Sequence, residues 1–186
     1  MKDASPLSGR LIAVVGPSGV GKDSVMIGLR DALPHLHLVK RVITRAPGLG
    51  GEDYEAVSEA EFLDLMKRDA FAVHWQAHGL RYGIPQSVQG QLDAGTDCLA
   101  NVSRGALERA HAAFANLVVL NITATPKTLA ARLTARGRET HSEIERRLAQ
   151  AQKPLPDGLT VIEVSNDGPL TETVTRAAEL LQAPSA

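Results

Sequence analysis

The residues with the plainest chemical purpose form one run, "GPSGVGKDS", from Gly16 to Ser24. Its G-x-x-x-x-G-K spacing puts Gly16, Gly21 and Lys22 in the register of a phosphate-binding loop. Each part has a physical reason. Glycines let successive backbone N–H groups turn inward onto a phosphate, and the helix that follows adds the positive end of its dipole. A lysine at the end of the loop reaches the β- and γ-phosphates of a nucleoside triphosphate. Gly16, Pro17, Ser18, Gly19, Val20, Gly21, Lys22, Asp23 and Ser24 are therefore the candidate triphosphate cradle. After the lysine, where a hydroxyl commonly contacts Mg²⁺, stand Asp23 and then Ser24. A carboxylate beside a triphosphate is repelled unless a divalent cation lies between them. Asp23 and Ser24 are accordingly the candidate Mg²⁺ contacts. The alternative is that Asp23 is a solvated acid favouring the helix dipole.

A second concentration of charge lies between Arg132 and Arg147, where five arginines stand against three glutamates around Gly137. Such a run is commonly a solvated face. Over all 186 residues, Lys+Arg is 20 and Asp+Glu is 21, a formal charge of −1. That balance argues against a nucleic-acid-binding protein, which needs a net basic face. The single cysteine, Cys98, excludes an intrachain disulfide and a Cys-cluster metal site. In the apolar run "DCLANV" it reads as a buried, inert thiol. His74, His78, His111 and His141 lack ligand-like spacing. The N-terminal "MKDASPLSGR" has no apolar core of a secretory signal, and no stretch is apolar enough to span a membrane. A reduced cytoplasm is the expected compartment.

The elements that must carry these residues show in the hydrophobic pattern. Short β-branched runs fall at Leu11 to Val15, His37 to Thr44, Asp97 to Val102, Asn116 to Ile122 and Leu159 to Val164. Unbroken apolar strands imply burial on both faces, so the expected fold is α/β, a five-stranded parallel sheet with helices on both sides. Val25, Met26, Leu29 and Leu33 mark one face of a helix after Gly21 that stops at Pro34. Ser58 with Glu61, and Ser142 with Glu145, have capping-box spacing. Thr125 and Pro126 read as N-cap and first residue of a helix running to about Arg136. A last helix is expected from Pro169 to Leu181. The stretch from Pro47 to Pro85 breaks the rhythm. It starts Gly-rich, then holds a helix and two strand-like pieces, "FAVHWQA" and "LRYGI". Residues 1–8 and 183–186 read as frayed ends.

Several motifs occur in a telling order: "GPSGVGKDS", "VITRAPG…EDY", "GLRYGIP", "RLTARGRE…EIERRLAQA" and "SNDG". On these the chain resembles the guanylate kinase superfamily over nearly its whole length. "GKDS", "NVSR" and "GRE…SEI" resemble its ribose 1,5-bisphosphate phosphokinase branch in particular. The departures from guanylate kinases bear on the acceptor. A second arginine three positions after Arg45 is replaced by Gly48. The base-reading glutamate has no counterpart in "AVHWQAH", and an Asp-x-Asp pair is replaced by Asn101, Val102, Ser103. Loss of acids that pair with guanine donors can cost on the order of 10⁴ in discrimination. The resemblance therefore implies a sugar phosphate acceptor rather than guanine.

The resemblance also implies roles. Arg45 grips the acceptor phosphate, Tyr54 and Tyr82 offer it hydroxyls, and Arg41 adds charge from the same strand. Asn101, Ser103 and Arg104 follow a strand's C-terminal end, where α/β sheets gather ligands, and are assigned to the acceptor. Arg136 and Arg147 match phosphate-facing lid arginines and join Lys22 as the catalytic set. Arg132, Arg138 and Arg146 fit a solvated face, and Asn166 resembles an adenine-side contact. One domain is expected over 9–182, with a core of 9–46 and 86–182, an acceptor-binding insertion at about 47–85 and a lid at about 132–147. The implied reaction is ATP·Mg²⁺-dependent phosphorylation of ribose 1,5-bisphosphate to 5-phosphoribosyl 1-diphosphate in phosphonate catabolism. Its partners are small molecules, with no nucleic acid or membrane, and a homodimer is compatible with it. Two other readings stay open: a nucleoside monophosphate kinase and a non-catalytic guanylate-kinase-like binding module.

Overall fold

Strand β1 (Leu11–Val15) is the apolar run ahead of the phosphate loop, and all of its side chains are buried. The computed structural model describes residues 8–48, 51–137, 140–151 and 154–183. In it β1 is the middle strand of a five-stranded, all-parallel sheet. The strand order is β2 (His37–Leu38), β7 (Cys98–Asn101), β1, β8 (Leu117–Thr123) and β9 (Thr160–Ser165). Alternation along β1 feeds two cores. Ile12 and Val14 pack beneath α1 (Lys22–Ala32), α5 (Pro126–Arg136) and α7 (Leu170–Gln182), against Val25, Leu29, Leu129 and Ala177. Leu11, Ala13 and Val15 face the opposite layer, with Leu107 and Ala110 of α4 (Leu107–Ala113) and Val88 and Leu92 of α3 (Val88–Asp93). The inner strands β7, β1 and β8 are buried on both faces as their apolar runs required, whereas β9, at the sheet edge, stays mostly exposed with only Val164 buried. Among the described residues no helix is long and apolar enough to cross a membrane.

A second sheet completes that opposite layer. Its order is β4 (Tyr54–Ala56), β3 (Arg41–Ile43), β6 (Leu80–Pro85), β5 (Phe71–Ala77). "FAVHWQA" and "LRYGI" form its antiparallel hairpin, whose turn uses His78 and Gly79 at positive φ. Helix α2 (Glu59–Lys67) precedes the hairpin, and its start is the expected capping box. Ser58 Oγ accepts from the Glu61 N–H at 3.2 Å, and the Ser58 N–H donates to the Glu61 carboxylate at 2.7 Å.

Two expectations need correction. The run His37 to Thr44 is not one strand but two, in different sheets. Through Val39, whose N–H donates to Leu99 O at 2.9 Å, the chain follows the parallel sheet. From Arg41 it pairs instead with β4 and β6, because the chain turns away to build the second layer. The second sheet thus draws a strand from ahead of residue 47. The other correction concerns α6 (His141–Ala151). Its capping box is Thr140 with Glu143, not Ser142 with Glu145, since the helix already begins at His141. Both pairs have the same spacing, and only the backbone decides between them. The N-cap of α5 is Thr125 as expected, with Pro126 at its start and Gly137 closing it at φ 65°.

Candidate active site

The phosphate loop joins β1 to α1 at the C-terminal edge of the parallel sheet. Two of its glycines have a demonstrable reason. Gly16, at φ 156°, lies so close to β8 that a Cβ would stand 2.4 Å from Ile122 O. Gly21 caps α1 in the left-handed region at φ 92°, where a Cβ would also meet Asn166 Nδ2 at 2.8 Å. Lys22 folds back over the loop, its ammonium donating to Gly16 O at 2.9 Å and Pro17 O at 3.2 Å. Burial pulls its pKa from 10.5 down to about 8, with Asp23 opposing that shift and Arg41 adding to it. Charge held in so dry a place interacts strongly with an incoming phosphate.

The loop opens into a cleft of about 1300 Å³ that most of the sequence-identified residues line. On one wall are Gly16, Pro17, Ser18, Gly19, Gly21, Lys22, Asp23 and Ser24. Asn101, Ser103 and Arg104, at and just after the end of β7, form the floor. Burial lowers the Arg104 guanidinium pKa, with Glu163 opposing. The second sheet supplies Tyr82, and Arg45 follows β3. Arg45 Nη2 stands 3.5 Å from the Tyr82 hydroxyl, and its guanidinium lies 5.5 Å from the Tyr54 ring. Arg136 and Arg147 also line the cleft. Arg147 already donates to Ser18 Oγ.

Other residues lie differently from their assignment. Arg132 and Arg146, read from the sequence as a solvated face, line the cleft, and Arg132 donates to Val20 O at 3.3 Å. Arg138 is outside the described residues, as are 1–7 and 184–186 of the ends. The Tyr54 hydroxyl donates to Ala46 O, and the residue does not line the cleft. Asn166 is 4% exposed and lies beneath the loop. Its amide donates to Val20 O at 2.7 Å and accepts from the Thr173 hydroxyl at 2.9 Å. The nitrogen of that amide holds the loop and its oxygen is tied to α7, and Asn166 does not line the cleft. Glu52, unremarked in the sequence, lines the cleft and pairs with buried Arg41. The available signal was an arginine inside the apolar strand "RVI", which demands a counterion.

Asp23 presents hard oxygen donors of the kind magnesium takes. Oδ1 accepts from Asn101 Nδ2 at 3.3 Å. A Cβ on Gly51 would stand 3.2 Å from Oδ2, so glycine there keeps the space beside that oxygen clear. A Mg²⁺ carrying triphosphate oxygens and waters fits this donor set. Cys98 is buried, and burial with the charge of Asp97 pushes its thiol up to about 11.

Comparison with known proteins gives a consistent result. The family model described as guanylate kinase matches residues 8–183. The chain is 52% identical over 185 residues to ribose 1,5-bisphosphate phosphokinase PhnN of Ruegeria sp. strain TM1040, covering 99% of this chain and 97% of that protein. It is 44% identical over 175 residues to the protein of the same name from Agrobacterium fabrum, covering 92% and 96%. Among solved structures, guanylate kinase from Anaplasma phagocytophilum superposes with a TM-score of 0.64 at 20% identity, covering 94% and 85%.

Proposed function

This chain belongs to the guanylate kinase family, and from that premise we propose that it phosphorylates ribose 1,5-bisphosphate with ATP, forming 5-phosphoribosyl 1-diphosphate. The observation that carries this reading is the end-to-end identity with the Ruegeria ribose 1,5-bisphosphate phosphokinase. The cleft supports it with chemistry suited to two highly charged substrates. Its partners are then small molecules, ATP and a sugar phosphate, and its place of action is the cytoplasm, the step serving phosphonate catabolism.

The reaction is an in-line displacement. An anionic oxygen of the acceptor's 1-phosphate attacks the γ-phosphorus of ATP. The bond from that phosphorus to the β–γ bridging oxygen breaks, and ADP leaves with the electron pair. The attacking oxygen is already deprotonated near neutral pH, so no general base is needed. What remains for the protein is positioning and neutralisation of charge. Backbone N–H groups of Ser18, Gly19 and Gly21 and those of Lys22 to Ser24 at the start of α1 receive the β-phosphate. Lys22 exchanges its two loop carbonyls for β- and γ-phosphate oxygens. Arg136 and Arg147 cover the transferring group from the lid, Arg147 leaving Ser18 to do so. Arg45 and the Tyr82 hydroxyl hold the acceptor's reacting phosphate, while Asn101, Ser103 and Arg104 line its sugar side. Asp23 with Ser24 would hold Mg²⁺, which when bound neutralises the triphosphate. Lid and second sheet together exclude water and so suppress ATP hydrolysis.

The test is a phosphoryl-transfer assay with ATP·Mg²⁺ against ribose 1,5-bisphosphate and GMP in parallel. 5-Phosphoribosyl 1-diphosphate in the first arm, with little ADP in the second, is the expected result. GDP formation with no sugar diphosphate would return the chain to the nucleotide kinases.

A further inference from the structure

The acceptor end of the cleft contains a buried ion pair that the phosphate loop and the lid do not explain. Arg41 of β3 is only 5% exposed, yet it lines the cleft. Its Nη2 donates to Glu52 Oε1. Its Nε is also buried and has no hydrogen-bond partner among the described residues. Buried N–H groups are nearly always satisfied, and a guanidinium offers a planar fork matched to two oxygens of one carboxylate or phosphate. Arg41 is thus fixed by Glu52 through one nitrogen while the fork is incomplete.

Its surroundings hold it still. The guanidinium lies 5.1 Å from the Tyr82 ring centroid and 5.9 Å from that of Trp75. The two rings stack 5.5 Å apart and 8° from parallel. They stack on each other rather than leaving a slot between them for a base. Trp75 Nε1 in turn donates to Ser103 Oγ at 2.8 Å, tying the stack to the residues after β7. Arg45 meets the same tyrosine at its hydroxyl. One tyrosine therefore carries a guanidinium at its ring face and another at its oxygen. A sugar bisphosphate offers two anionic groups on one small ring. A nucleoside monophosphate offers one phosphate and an uncharged base.

We propose that Arg41 is a specificity-determining residue of the acceptor site: it binds the non-reacting phosphate of a sugar bisphosphate, with Glu52 and the Trp75–Tyr82 stack fixing its guanidinium. The proposal rests on the phosphotransfer reading given above. Glu52 supplies a resting partner, so the buried cation is not left uncompensated before the acceptor arrives. The phosphate completes the fork and adds charge-assisted hydrogen bonds at that point.

The experiment compares wild type with Arg41→Lys, Arg41→Met and the double variant Arg41→Met/Glu52→Gln. The double variant leaves no lone buried carboxylate, and circular dichroism with thermal melting confirms which variants fold. Three quantities are read: KM and kcat for ribose 1,5-bisphosphate, KM for ATP, and ribose 5-phosphate affinity by calorimetry. We expect the acceptor KM to rise, and ribose 5-phosphate affinity to fall, by about 10- to 100-fold in the folded methionine variants. The ATP KM should stay at its wild-type value, and Arg41→Lys should fall between. If the folded double variant, or Arg41→Lys should neither methionine variant fold, keeps wild-type acceptor KM and ribose 5-phosphate affinity, Arg41 is a packing residue and the proposal fails. If wild type does not turn over ribose 1,5-bisphosphate, the reaction assignment fails on its own. Loss of ribose 5-phosphate binding in the variants then still supports a phosphate site at Arg41, and no binding by wild type overturns it.

Discussion

Lys22 is a residue whose charge this fold controls closely. Its ammonium is enclosed by the loop it serves, and burial brings its pKa to about 8. The free enzyme therefore loses this charge as pH rises through about 8. We expect kcat/KM for ATP to fall along a basic limb near that pH, since this ratio reports the free enzyme. The limb in kcat should lie higher, because bound triphosphate favours the charged lysine. Steady-state pH profiles check both. Stability runs in the opposite sense. The folded pKa is below the unfolded value of 10.5, so burying the charged lysine costs stability, fully below about pH 8 and progressively less from 8 to 10.5. Lys22→Met should accordingly stabilise the protein by about 1–3 kcal/mol at pH 7, after the loss of its two hydrogen bonds. That gain should shrink toward pH 10.5 in denaturant titrations. The same loss of charge should lower kcat by on the order of 10²–10³.

The helices work as mounts. α5 begins where Thr125 accepts from the Thr128 N–H at 3.3 Å, and Asp167 reinforces it by accepting from the Thr125 N–H at 2.8 Å. Hydrogen bonds from the Thr128, Thr125 and Ser165 groups hold the Asp167 carboxyl well below the usual carboxylate range. A depressed folded pKa stabilises above the unfolded value and is lost as pH falls. Asp167→Asn should therefore lower Tm at pH 7, the difference narrowing as pH drops below about 4. Melting curves at pH 7 and pH 3 test this. α5 is closed by Gly137 and α6 starts from Thr140 and Glu143, so Arg136 is the last residue of one helix and Arg147 belongs to the next. Arg136→Ala and Arg147→Ala should each reduce kcat about 10- to 1000-fold while leaving Tm nearly unchanged. An unchanged rate in both would remove the lid arginines from the mechanism.

At the scale of the molecule, a net charge of −1 hides a strongly uneven distribution. Among the described residues the cleft gathers Lys22 and seven arginines, against Asp23, Glu52 and Glu143. The field at the site is therefore positive although the chain is nearly neutral. Both proposed substrates are polyanions, so their capture should depend on salt in a way the net charge does not suggest. We expect KM for ATP and for the acceptor to rise together between about 0.05 and 0.5 M ionic strength, with kcat changing far less. Initial-rate measurements at fixed Mg²⁺ would show it. An acceptor KM indifferent to salt would mean that the acceptor is not held by these arginines.

What the sequence determined by itself is what neighbouring residues decide among themselves. The phosphate loop, the apolar strands, the Ser58–Glu61 capping box and the Thr125–Pro126 helix start are all local. Short-range sterics and hydrogen bonding act on adjacent positions, so spacing alone makes them legible. The tertiary structure decided what depends on which elements meet. Asn166 supports Val20 from 146 positions away, which no local pattern contains. Thr140 rather than Ser142 starts α6, a choice between two pairs of equal spacing that only the backbone makes. His37 to Thr44 divides between two sheets because its partners change midway, from β7 to β6 and β4. The Arg41–Glu52 pair exists only once β3, β5 and β6 enclose it, since a buried charge is tolerable only where a distant element brings its counterion.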